Sequence, residues 1–192
     1  MQPTVTFGLG LAVFFGAHLF AAFRPRGASS LPERMGRNAY RGAFSVISLA
    51  GLVLLILGYD DLRGYAPVWR PDLWTRHIPM ALMAPAMILF VAAEAPAGRI
   101  KRAVKHPMLA GVKLWAIGHL AANGDLPSIL LFGAFLAFAI VDIIVVKRRD
   151  TGQSEAAISP RGDVIAVVGG VILYLAFLFY LHEALIGVPV LI

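Results

Sequence analysis

Six mostly apolar stretches follow one another along the chain, separated by short polar links. They cover residues 4–23, 42–59, 78–93, 107–123, 126–146 and 164–181. A helix that crosses a bilayer needs about 20 apolar residues, and it keeps its backbone polar groups bonded internally. The first stretch carries no charge at all. The fourth is the weakest, being short and containing Lys113. The pattern predicts an all-α, polytopic membrane helix bundle of about six transmembrane helices, forming a single domain over residues 1–192.

The polar positions between the stretches add an orientation. The first, third and fifth links hold 13 of the 17 Lys and Arg residues: Arg24, Arg26, Arg34, Arg37 and Arg41; Arg99, Lys101, Arg102 and Lys105; Lys147, Arg148, Arg149 and Arg161. The opposite side holds only Arg63, Arg70 and Arg76. Such an excess marks the cytoplasmic side, so both termini are expected outside. Positive charge follows the first stretch instead of preceding it, as in a retained helix rather than a cleaved secretory signal. The link over residues 60–77 is rich in aromatic residues and proline, which predicts an ordered extracytoplasmic cap. Residues 151–154, Thr-Gly-Gln-Ser, predict a polar surface loop. The small residues Gly8, Ala12, Gly169 and Gly170 are expected to let helices approach closely.

Composition changes the picture in two ways. Of 192 residues, 59% are apolar and 15% charged, against about 25% charged in average soluble domains. The net charge of +6 is accounted for by the links, so it is a topology signal and not a nucleic-acid footprint. The absence of Cys excludes disulfides and thiolate ligands.

Ionisable groups inside apolar stretches are the candidates for chemistry. They are His18, Lys113, His119 and Asp142, with His77, His106 and His182 at stretch ends. Each His could bond a neighbouring helix or bind a cofactor. Zinc would need three imidazoles close together. Haem needs one or two axial His in an apolar slot. His106 and His119 lie 13 residues apart, about 140° around a helix axis, and are not expected to serve one pocket. Val112, Trp115 and Ala116 share the face of His119 and could wall a flat ring. Lys113 could snorkel, pair with Asp142 or Glu94, or meet an anionic group.

Two segments carry a resemblance. Residues 14–25 read FFGAHLFAAFRP, and residues 105–124 read KHPMLAGVKLWAIGHLAANG. Together they resemble the NnrU family of bacterial membrane proteins, linked to nitric oxide and denitrification metabolism and related to a haem-dependent zeta-carotene isomerase. The resemblance implies a multi-pass protein of the bacterial inner (cytoplasmic) membrane holding haem b. It implies His18 and His119 as iron ligands, with His106 important and His77 and His182 as alternates. In the isomerase a Cys stands where this chain has Ala116, so a Cys-based ligand switch cannot operate here. By depth in the bilayer alone, His18 groups with His106, and His119 with His77 and His182.

Three other readings stand beside a haem protein of nitrogen-oxide metabolism: a cis–trans isomerase of a lipidic polyene, a cofactor-free scaffold, and a methyltransferase. The scaffold would serve a membrane protein partner, and the isomerase a hydrophobic small molecule. The methyltransferase rests on Lys105-His106-Pro107-x-x-x-Gly111, similar to an S-adenosylmethionine-binding element, but its acidic pair and Tyr-rich tail are missing.

Overall fold

A computed structural model describes residues 2–25, 30–149 and 158–191. Arg26 and the Thr-Gly-Gln-Ser loop lie outside the described residues. Within them the chain is helical, with a single isolated bridge between Pro67 and Asp125 and no strand. Each predicted apolar stretch falls on a helix: α1 (Pro3–Phe23), α3 (Arg37–Leu62), α4 (His77–Glu94), α6 (Pro107–Ala122), α7 (Leu126–Arg149) and α8 (Pro160–Ala176). Five helical segments, Pro3–Phe23, Arg37–Leu62, Leu73–Glu94, Leu126–Arg149 and Pro160–Ile186, are long and apolar enough to cross a membrane. The remaining helix, α6, has 16 residues, about 24 Å at 1.5 Å per residue.

Three short helices were not expected. The first, α2 (Leu31–Met35), starts with a proline in its first turn and stops at Gly36, whose φ of 86° is open to glycine. Next, α5 (Arg99–Val104) ends at Lys105, because His106 precedes a proline and is held out of the helical region at φ −124°, ψ 67°. Last, α9 (His182–Ile186) continues α8 through a π-helical turn, Phe177–Leu181, and ends at Gly187.

The helices form two compact units, and each is discontinuous in sequence. The first comprises residues 1–69 and 124–149. Here α1 and α3 run antiparallel in close contact. Gly51 lies against Phe14 and Gly58 against Phe7, so seven residues forward on α1 match seven backward on α3. That is the stepping of left-handed helix pairs. A Cβ at Gly51 would stand 2.6 Å from the Phe14 backbone nitrogen. The contact therefore does not use Gly8, which has nothing within 4 Å of its Cβ position. Phe7, Phe15, Leu55 and Leu62 form the buried core, joined by Phe135 and Phe138 of α7.

The link after α3 is ordered in this unit. Val68 and Trp69 donate backbone N–H groups to the Gly124 carbonyl, and Leu126 N–H donates to Ala66. Trp69 and Tyr65 remain exposed, as suits side chains that favour the headgroup layer.

The second unit comprises residues 70–123 and 150–192. Its centre is α4, flanked by α6 and α8. Gly118 sits against Pro79, and Gly111 against Ala86 and Phe90, so α6 is antiparallel to α4 and extends along nearly its whole length. On the α8 side, Gly170 sits against Ile88 and Gly162 against Pro96. Asp163 accepts hydrogen bonds from the Arg99 and Ile100 N–H groups at 2.9 and 3.0 Å, and so caps α5 from α8. Lys101 donates to the Ala93 and Ala95 carbonyls at the end of α4, where a cation is favoured.

Candidate functional site

The five histidines divide unequally. His18 belongs to the first unit, and His77, His106, His119 and His182 to the second.

His18 lies on α1, and its Nδ1–H donates to the Phe14 carbonyl at 2.7 Å. A carbonyl can only accept, so this bond fixes the neutral tautomer and leaves the lone pair on Nε2. Three phenylalanine rings surround the imidazole. Phe14 stacks at 4.2 Å between centroids, while Phe44 of α3 and Phe138 of α7 meet it edge-on at 5.1 and 5.5 Å.

His119 repeats the local device. Its Nδ1–H donates to the Trp115 carbonyl at 2.8 Å, and the Trp115 ring lies 5.3 Å from the imidazole. The Asn123 amide takes the His119 carbonyl at 2.8 Å and closes the helix end. Ala116, on the same side, is fully buried.

His182 follows the π-helical turn, and π-turns frequently occur at functional sites. At Gly187 the backbone reverses with φ 74°, in the left-handed region that glycine occupies without strain. The reversal brings the Val188 carbonyl back to accept the His182 Nδ1–H at 2.6 Å. His119 and His182 are near enough to interact electrostatically.

His77 opens α4 as an exposed residue. Since Gly118 packs on Pro79, His77 stands at the end of α4 that meets the last turns of α6, close to His119 in level. His106 is at the other end. It is the N-cap of α6 and not part of the helix, so the helical angle expected between it and His119 does not apply. Its Nε2 is buried without a hydrogen-bond partner among the described residues. Lys113 is half-buried on α6 and forms no ion pair with Glu94; the side-chain ion pairs among the described residues are Arg37–Glu33 and Arg63–Asp60. Asp142 belongs to the first unit.

Three of the histidines thus share one feature. The Nδ1–H of His18, His119 and His182 is held by a backbone carbonyl, and Nε2 is the nitrogen able to coordinate. Metal-ligating histidines are typically oriented in this way. No group of three His, Asp or Glu side chains among the described residues is placed to hold a metal ion. A porphyrin needs less, because it brings four of the iron's ligands itself and asks the protein for one or two.

A family model described as NnrU protein matches residues 6–190, which takes in both units. The chain belongs to the NnrU family. Comparison with curated proteins and with solved structures gave no match. Beside the histidines, this NnrU-family protein contains a fully buried hydroxyl that the sequence does not single out. Ser128 is completely buried at the start of α7. Its hydroxyl donates to Asp125 at 2.7 Å and lies 2.8 Å from the Tyr59 hydroxyl on α3. The signal for it was present as Asp125-x-x-Ser128, an acidic N-cap just before an apolar run.

Proposed function

We propose that this NnrU-family protein crosses the inner membrane six times, holds b-type haem through His119, and serves nitric oxide or denitrification metabolism. Two features support six crossings. Antiparallel packing runs α6 beside nearly all of α4, and the link after α3 is hydrogen-bonded to Gly124–Leu126, which keeps that link and the start of α7 at one membrane surface. The distribution of Lys and Arg then assigns the remaining links to the cytoplasm and both termini to the outside.

The observation that carries the haem reading is the His119 imidazole, with Nδ1 tied to Trp115, an indole beside it, and His182 within electrostatic reach in the same unit. His18 has the same Nδ1 bond, and we propose it as the other ligand to be tested, although its three phenylalanine neighbours fill the space beside the ring. When bound, haem supplies a redox-active iron that binds diatomic gases. Ala116 offers no ligating atom, which counts against a thiolate-switched isomerase and leaves haem binding itself unaffected. The link to nitrogen-oxide metabolism rests on the family resemblance.

Absorption spectra of protein purified in detergent from haem-replete cells test the reading. We expect a Soret band that His119→Ala abolishes or shifts and that a change at exposed His77 leaves unaltered. A colourless wild-type protein, or a band insensitive to both His119→Ala and His18→Ala, overturns it.

A further inference from the structure

At the basic end of the first unit, a cavity of about 370 Å³ is lined by Arg24, Ser30, Glu33, Arg37, Tyr40 and Arg41, together with two prolines. Among its described lining residues charge is predominantly positive, and the one acid there, Glu33, is already engaged by Arg37, through Nε and Nη2 at 2.9 Å. That pair is largely exposed, so it is weak. Among the described residues, Arg24 and Arg41 have no carboxylate partner.

The arrangement of Arg24 and Tyr40 goes further than charge. The Arg24 guanidinium lies over the Tyr40 ring, 4.9 Å from its centroid, and one of its amino groups donates to the Ala21 carbonyl at 2.8 Å. The Arg24 Nε and the Tyr40 hydroxyl are buried and have no hydrogen-bond partner among the described residues. Leaving a buried donor unsatisfied is costly. An oxygen-rich anion that parts the stacked pair would accept from both, and a guanidinium matches phosphate geometry. At the same end of the unit, Arg149 approaches the Arg24 carbonyl at 3.5 Å and adds positive charge from α7.

We infer that this cavity is a binding site for a phosphate-bearing anion, with Arg24, Tyr40 and Arg41 as its donors. Two sources share this chemistry: the headgroup of an anionic phospholipid and a soluble phosphate. The site lies in the first unit and is independent of the haem reading.

Full-length protein in a neutral detergent is the material for the test, with thermal unfolding and native mass spectrometry as readouts. The probes are short-chain phosphatidylglycerol, phosphatidylcholine of the same chain length, and inorganic phosphate. We expect phosphatidylglycerol to raise Tm and to be retained in the mass spectrum, whereas phosphatidylcholine does neither. Arg24→Gln should weaken that binding about tenfold, the usual scale for one charge-assisted bond. Tyr40→Phe, a milder change that guards against a misfolded Arg24 variant, should weaken it less. Arg102→Gln, on the second unit, should have no effect. If inorganic phosphate protects equally with the same dependence on Arg24, the site is confirmed and its ligand is the soluble anion. Equal response to both lipids, no response to any probe, or equal losses from Arg102→Gln and Arg24→Gln would overturn the proposal.

Discussion

A histidine in an apolar helix has a backbone problem before it has a function. One ring nitrogen must find an acceptor, and in this fold the carbonyl four residues earlier serves for both His18 and His119. That acceptor is available to any histidine in a helix, so the sequence could nominate these residues but could not rank them. His182 was harder to read, since its acceptor is created by the reversal at Gly187. The buried hydroxyl of Ser128 illustrates the energetics. Ser128→Ala leaves the Tyr59 hydroxyl without its partner and removes a donor from Asp125, and it should lower stability by about 1–2 kcal/mol. Tyr59→Phe should cost less, because Ser128 keeps its bond to Asp125. Denaturant titration in mixed micelles measures both, and equal losses would contradict the chain of bonds described.

At the scale of elements, the apolar pattern located every long helix and missed the short ones. Hydropathy sees length, whereas α2 and α5 are set by proline and by positive φ at Gly36 and Lys105. Helix contacts were legible only as the presence of small residues. Which glycines are used depends on rotation about the helix axis, which mean hydropathy does not encode. The structure separates them: Gly51→Ala forces a Cβ to within 2.6 Å of the Phe14 backbone and should destabilise the α1–α3 pair by about 1 kcal/mol or more. Gly8→Ala meets nothing within 4 Å and should be neutral or slightly stabilising, given alanine's higher helix propensity. Thermal unfolding of the two variants side by side provides the comparison.

For the whole molecule, the membrane class is readable from composition, whereas the distribution of basic residues gives an orientation that stands as a proposal. The division into two units is not readable there, because it depends on which helices associate. The proposed topology has a direct test. The chain lacks Cys, so single cysteines can be placed without background. A membrane-impermeant maleimide should label Val68→Cys in spheroplasts and should reach Arg102→Cys only after permeabilisation. The reverse pattern would invert the topology.

The interleaving of the two units also imposes a chronology on biosynthesis. The α1–α3 pair emerges first, but α7 follows only after some 60 further residues, about 3–12 s at 5–20 residues per second. By then α4 and α6 have been made and α8 has not. Each unit therefore waits for its last helix while the other is under construction. The glycine-mediated pairs α1–α3 and α4–α6, each complete as a hairpin, are the intermediates that must survive the wait.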